Sequence, residues 1–284
     1  MRRNRLRSGL VDRRLVAHIA SDLDLRADEE LERLDLGSFV RATAAYDAPP
    51  EERLRQLAIA LEARVSFDSP LREWGALERV YAAAIRLEPE DWVLHSSRSI
   101  CASRFAEVAT DPLDVERLVR ASDGSLRRAL ELAPDAAELH YLAGYNTYVH
   151  RTGSTEDALG ELERAIELDG SHGFARLYRA HCLHDLERFE EAAAAYDDVP
   201  QGAFRGPTSW RMDLLVEQRA HCRGMAGDLD GARADFERVL TRYEREPHLA
   251  LYAPPRYRRW AADAFPELTD RVEAVEAAAT GHSS

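Results

Sequence analysis

The tetrapeptide RAHC occurs twice, at residues 179–182 and 219–222, and sets His181 beside Cys182 and His221 beside Cys222. Imidazole nitrogen and thiolate sulfur are good zinc ligands, and His184 follows His181 by close to one helical turn. Consecutive residues on a helix diverge by about 100°, however, so His181 and Cys182 cannot both face a common ion without distortion. The pattern separates the two residue types, with the histidines turned toward a groove and the cysteines packed between helices as small hydrophobes. No metal ligands and no cofactor are therefore assigned. A histidine pair of this kind would make binding pH-sensitive near neutrality. His184 with Asp185, or Glu217 with His221, has the residue types of an acid and a base, but nothing beyond proximity supports catalysis. The chain has no glycine-rich phosphate loop, no HExxH, no GxSxG elbow and no CxxC pair. The expectation is a protein that is not an enzyme.

The elements carrying these residues are legible in related strings: AIRLEP at 84–89, ALELAP at 129–134, AIELDG at 165–170 and the more degenerate RVLTRY at 238–243. Each closes a run with apolar residues at helical spacing: Tyr81, Ala84 and Ile85; Leu126, Ala129 and Leu130; Leu162, Ala165 and Ile166; Phe236, Val239 and Leu240. Proline or glycine just beyond marks a stop. A second helix with a small residue at its middle lies upstream, as in HYLAGYNTY (140–148), RLYRAHCLH (176–184) and VEQRAHCRG (216–224). The recurrence predicts helix pairs near 51–87, 91–132, 136–168, 173–199 and 211–244. One or two further helices are expected over 10–46, and a capping helix broken near Pro266 over 256–279. The terminal residues 282–284 are expected to be disordered. The domain division is 1–50 for a basic arm and flanking helices, 51–245 for the repeats, and 246–284 for the cap and tail.

Across 136–200 and again across 211–244 this pattern resembles the tetratricopeptide repeat. The resemblance rests on the small residues Gly144, Ala180 and Ala220, the turn glycines Gly153 and Gly227, and the alanines Ala158, Ala192 and Ala232. Phe189, Leu229, Leu162, Tyr196 and Phe236 occupy its large apolar sites. Two extra residues around Arg151–Gly153 and a long connection from Pro200 to Ser209 depart from it, and the match weakens before residue 110. What the resemblance implies is an all-α chain, a right-handed α-solenoid of about five helix pairs with flanking helices. Its concave groove would bind a protein or peptide segment. In register with the motif, the groove would be lined by Tyr141, Tyr145 and Tyr148, then Phe174, Leu177, His181 and His184, then Leu214, Glu217 and His221. Val93, Ser96, Ile100 and Ser103 would precede them. Family members that clamp an acidic C-terminus use lysine and asparagine where this chain has Tyr145 and His181, so an apolar or mixed segment is the expected ligand.

All 38 basic residues are arginine. That fits a GC-rich coding bias and removes the chemistry of P-loop, kinase-type and Schiff-base lysines. The net charge of -13 over 284 residues disfavours nucleic acid and anionic membrane. Against that balance Arg2, Arg3, Arg5, Arg7, Arg13 and Arg14 cluster at the start with only Asp12, either a solvated arm or a tether to an acidic surface. Three cysteines, all in helical stretches, point to reduced thiols and a cytoplasmic location. The longest stretch free of Asp, Glu and Arg is the twelve residues between Glu138 and Arg151, well short of a membrane span. The leading expectation is a scaffold or adaptor that holds a protein partner, with self-association open. The alternatives are a regulatory or nucleic-acid-associated protein docking through the arginine arm, and a metal-binding or enzymatic groove using the histidines.

Overall fold

The computed structural model describes residues 49–66 and 69–281, and they contain helices and no strand. The arginines Arg2, Arg3, Arg5, Arg7, Arg13 and Arg14, the helices expected over 10–46 and the tail at 282–284 lie outside the described residues. No helix among the described residues is long and apolar enough to cross a membrane. The helices fall where the recurrent strings place them. The chain divides into two compact units between Asn146 and Thr147.

In the first unit, α1 (Pro50–Arg64) and α2 (Leu71–Leu87) pack antiparallel, followed by α3 (Trp92–Val108) and α4 (Pro112–Leu132). A fifth helix, α5, begins at Ala137 and runs to His150. The starts of α3 and α4 are set by Asp91 and Asp111, whose carboxylates accept from the backbone N–H groups of Val93 and Leu113 at 2.9 Å each. Pro112 sits in the first turn of α4, where a missing N–H costs nothing. Leu57, Leu61, Val80, Tyr81 and Leu94 are removed from water almost completely, each contributing about 1.5–3 kcal/mol of transfer free energy. Helix α3 is unusual in what it buries, because Ser96, Ser97, Ser99 and Ser103 are all inside. Their small side chains let α4 approach closely. Two of them meet Ser122 of α4 and Asn146 of α5: the Ser99 and Ser122 hydroxyls lie 3.0 Å apart, the Asn146 amide donates to Ser122 at 3.0 Å, and Ser103 donates to Asn146 at 2.9 Å.

The second unit contains α6 (Thr155–Leu168), α7 (Gly173–Asp185), α8 (Phe189–Asp197), α9 (Trp210–Met225) and α10 (Leu229–Arg245). Two short helices follow, α11 (Arg256–Ala264) and α12 (Thr269–Gly281), with a 3-10 turn at Pro266–Leu268 where the break is expected. A capping box of Ser154 and Asp157 starts α6, and the His172 ring accepts from the Ala175 N–H to start α7. The motif alanines Ala158, Ala180, Ala192, Ala220 and Ala232 are fully buried, as are Leu162 and Phe236. Leu229 is a correction: as the first residue of α10 it points outward and is 52% exposed rather than filling an apolar site. The turn glycines also divide. Gly227 takes the left-handed conformation (φ 92°) after α9, but the corresponding residues after α5 and α7 are Arg151 (φ 54°) and Glu187 (φ 58°), and Gly153 does not adopt it. Helices α11 and α12 cover the last pair, with Tyr257, Ala261, Phe265, Val272 and Val275 packed against Phe236, Leu240 and Tyr243.

Candidate functional site

The residues expected to line a groove separate into four fates. Tyr141 and Tyr145, one helical turn apart on α5, are half-buried with rings 5.9 Å apart, and the Tyr145 hydroxyl donates to Glu107 at 3.0 Å. Phe174 packs edge-on against Phe204 at 4.9 Å, with the Arg211 guanidinium 5.6 Å from its ring centre, and Leu214 is half-buried. Tyr148, His181, His184 and His221 gather at one place in the second unit. Leu177 and Glu217 are corrections, since neither presents a surface to a partner. Leu177 is 2% exposed inside the helix stack. Glu217 is fully enclosed by the C-terminal cap, held by Arg258 at 3.1 Å and by the Tyr243 hydroxyl at 3.1 Å. Of the residues expected before them, Val93, Ser96 and Ser103 are likewise buried, and Ile100 packs into a core cluster.

Where the histidines gather, a cleft of about 460 Å³ is bordered by Tyr148, Arg151, His181, Asp185, Gln218 and Arg256. A second hollow of about 400 Å³ shares His184, Asp185, Arg256 and Tyr257 with it and adds Phe189, His221 and Trp260. Among the described residues, the non-glycine positions with left-handed backbone are Arg151 and Glu187, and they border these two hollows. Strain of that kind persists where the surroundings enforce it, and it collects at functional sites.

The polar groups of the cleft are connected. Tyr148 donates to Asp185 at 2.7 Å, and its ring stacks on His181 at 6.5 Å between centroids. His181 Nδ1 lies 2.8 Å from the Tyr196 hydroxyl, which lies 3.5 Å from His184 Nδ1. The other nitrogen of His184, Nε2, is 3.1 Å from His221 Nδ1, and the two rings stack at 5.1 Å. Tyr257 and Trp260 of α11 close over the pair, each 5.2 Å from the His221 ring. Arg256 donates to the Tyr257 hydroxyl at 2.7 Å and lies over that ring.

Burial governs the protonation states. Loss of water, then the neighbouring His221, lowers His184 to about 4, with Asp185 pulling the other way and Arg256 adding to the fall. Burial likewise takes His181 down to about 3, and His221 is lowered by burial and by Arg256. Titration near neutrality, the sequence expectation, is thereby displaced to acid pH. Burial pushes the thiols of Cys182 and Cys222 up to about 12, so neither is a ready nucleophile. Both cysteines are fully buried.

The sequence reading misses Arg256, Tyr257 and Trp260. The run YRRW at 257–260 sits in a segment read only as a cap, and a cap is expected to hide an apolar face rather than contribute side chains to a site. The alternation of arginine with aromatic rings was the available signal. It also pairs His181 with His221 as equivalent repeat positions, whereas His184, one turn further along α7, makes the contact.

No family model and no curated protein matches the chain. Solved structures do. A tetratricopeptide repeat protein from Parabacteroides merdae is 16% identical, with a TM-score of 0.53 over 94% of this chain and 98% of that one. The crystal structure of MamA is 14% identical, with a TM-score of 0.50 over 69% of this chain and 93% of that one. The chain has the all-α helix-pair fold of the tetratricopeptide repeat proteins.

Proposed function

We propose that this chain is a non-catalytic protein-interaction module, a scaffold or adaptor, whose second unit takes a partner segment of mixed polarity into the cleft at Tyr148, His184, Arg256 and Tyr257. The observation that carries the reading is the lining. Tyrosine, tryptophan and arginine are the residues that dominate binding energy at protein interfaces, and here they surround a polar floor of two neutral imidazoles. An acidic side chain of the partner would meet Arg256, and an apolar one the wall of Phe189, Tyr257 and Trp260. Catalysis finds little support in the same residues. The nearby thiols are held protonated, Asp185 is engaged by Tyr148, and Glu217 is enclosed with Arg258. The arginines Arg2 to Arg14 stand as a second contact for an acidic surface on the partner.

The test is selection of short peptides from a displayed library on the full-length chain, followed by titration against variants. Tyr148→Ala and Arg256→Ala should each weaken selected peptides by about tenfold, the loss of a moderate interface contact. A photo-cross-linking residue at position 148 should capture them, and one at Leu113, exposed on the first unit, should not. Peptides that bind both variants at wild-type strength, or cross-link equally from the two positions, would refute the cleft as the docking site.

A further inference from the structure

We propose that His184, His221 and Cys222 form a binding site for a single cation of the zinc(II) class, with a fourth coordination position open toward the cleft. The ligand atoms of the three residues all lie within 4.8 Å of one another. His184 Nε2 and His221 Nδ1 are 3.1 Å apart. In a tetrahedral zinc site, bond lengths of about 2.0–2.1 Å to nitrogen and about 2.3 Å to sulfur place two nitrogens about 3.3 Å apart and nitrogen and sulfur about 3.6 Å apart. The imidazole pair therefore stands within a few tenths of an ångström of the spacing an ion needs. The sulfur has to close by about an ångström at most, within reach of a side-chain rotation.

The chemistry of the donor set selects the ion. Two imidazoles and a thiolate suit a borderline or soft cation and are poor ligands for magnesium or calcium, which take oxygen. A neutral imidazole offers one ring nitrogen lone pair to such an ion. On binding, the Cys222 S–H bond breaks and a sulfur–metal bond forms, and the proton leaves to solvent. The net charge added to the site is then one positive unit rather than two. Asp185 offsets that charge and Arg256 opposes it. Behind the ligands, the Tyr196 hydroxyl lies 3.5 Å from His184 Nδ1 and 2.8 Å from His181 Nδ1, a chain that fixes the ring which would carry the ion.

The molecule contains its own control. RAHC at 179–182 repeats the tetrapeptide of 219–222, yet the His181 Nδ1 atom is committed to Tyr196, and among the described residues only His184, His221 and Cys222 form such a group. Here the neighbours His221 and Cys222 of α9 are joined by a third ligand from another helix, His184 of α7.

The site does not depend on whether the cleft takes a peptide, and its test contains no peptide. Full-length protein stripped with a chelator is titrated with cobalt(II) as a spectroscopic stand-in, then with zinc(II) in competition with a chromophoric chelator. Expected are one equivalent per chain, a thiolate-to-cobalt charge-transfer band, and release of one proton per ion at pH 7. Cys222→Ser should abolish the band, and His221→Asn should weaken binding at least tenfold, while Cys182→Ser leaves both unchanged. His221 is only half-buried, so His221→Asn decides the matter if Cys222→Ser fails to fold by circular dichroism. Cobalt binding without the band, a band that survives Cys222→Ser, or zinc affinity unmoved by His221→Asn would overturn the site.

Discussion

The two units join their helices through polar groups of different kinds. Among the described residues of the first, Arg53 and His95 are buried, but the cluster that links its helices is Ser99, Ser103, Ser122 and Asn146, all neutral and hydrogen-bonded to one another. Inside the second are His184, Glu217, Asp235 and Arg258, with Arg219 and Arg223 both reaching Asp235 at 2.8 Å or less. Neutral amide and hydroxyl groups lose modest hydration energy, and mutual hydrogen bonds replace it, so such a cluster joins helices without responding to pH. Charged and titratable groups lose far more, and each stays only because a specific partner compensates it. The buried Glu217, Asp235 and Arg258 of the second unit thus depend on their partners, and removing one of those partners should hurt more than breaking the serine cluster of the first.

The largest effect expected is at Arg258, 3% exposed and paired with the fully buried Glu217. Burial holds the Glu217 carboxyl above its ordinary range, to about 7, and Arg258 and Tyr243 are the groups that pull it back. Arg258→Leu removes the ion-pair partner of Glu217, so the carboxyl must either stay charged without it or take up a proton, and the change should cost about 3–5 kcal/mol, read by urea unfolding through Trp210 and Trp260 of the second unit. Adding Glu217→Gln should recover a large part. In the first unit Ser99→Ala should cost only about 1 kcal/mol, read through Trp74 and Trp92. Equal costs for Arg258→Leu and Ser99→Ala would dissolve the contrast between the units.

Next in size is Gly224 on α9. A Cβ there would stand 2.0 Å from the far edge of the Trp260 ring, in a cap where that ring also packs on Phe236 and Phe265. A rigid indole cannot yield by a small rotation, so Gly224→Ala should cost about 1–3 kcal/mol and shift the Trp260 emission as the ring leaves His221. Unchanged stability and emission would mean that the cap is not seated on α9 as described.

The pH dependence sharpens the comparison further. His184, lowered from 6.5 to about 4, is neutral in the folded chain where the unfolded chain already carries the proton. Between those values the unfolded state binds more protons, so stability is complete above pH 6.5 and falls as pH drops toward 4. His181, lowered to about 3, extends the loss further into acid. Glu217, raised to about 7, works in the opposite sense as pH falls, so the readout is a difference: between pH 6.5 and 4 His184→Gln should lose less second-unit stability than the unaltered chain. The Ser99, Ser122 and Asn146 cluster contributes no slope of its own in the first unit.

Helix existence and order were legible because four of the five expected pairs close on a repeated apolar string, and Ala158, Ala180, Ala192, Ala220 and Ala232 fill the sites that repetition assigns them. The site was legible only in part. Tyr148, His181, His184 and His221 could be named from their register on first helices, since register follows from the repeat. Glu217 sits in the same register but is enclosed by Arg258 of α11, and no periodicity states where a cap will close. Arg256, Tyr257 and Trp260 escaped for the same reason. The face of a repeated helix is set by its neighbours in the repeat, whereas what covers the last one is set by a segment outside the pattern.

The smallest effect tests whether the cleft side of the second unit is held in a costly conformation. Among the described residues, three α-helix ends pass through the left-handed region, at Arg151, Glu187 and Gly227, and glycine stands at only one of them. For residues with a Cβ that region costs about 1–2 kcal/mol, partly offset because glycine loses more freedom on folding. Glu187→Gly should therefore stabilise the second unit by about 0.5–1 kcal/mol in urea unfolding, despite deleting a side chain that borders the hollow beside His221. Gly227→Ala, the reverse change at the equivalent turn, should destabilise by a similar amount. If Glu187→Gly stabilises the fold and also weakens selected peptides, the strained turn serves the cleft rather than the fold. If it stabilises the fold with binding intact, Glu187 is a surface residue at a helix end, and the recognition surface narrows to Tyr148, Arg256 and the aromatic wall of α11.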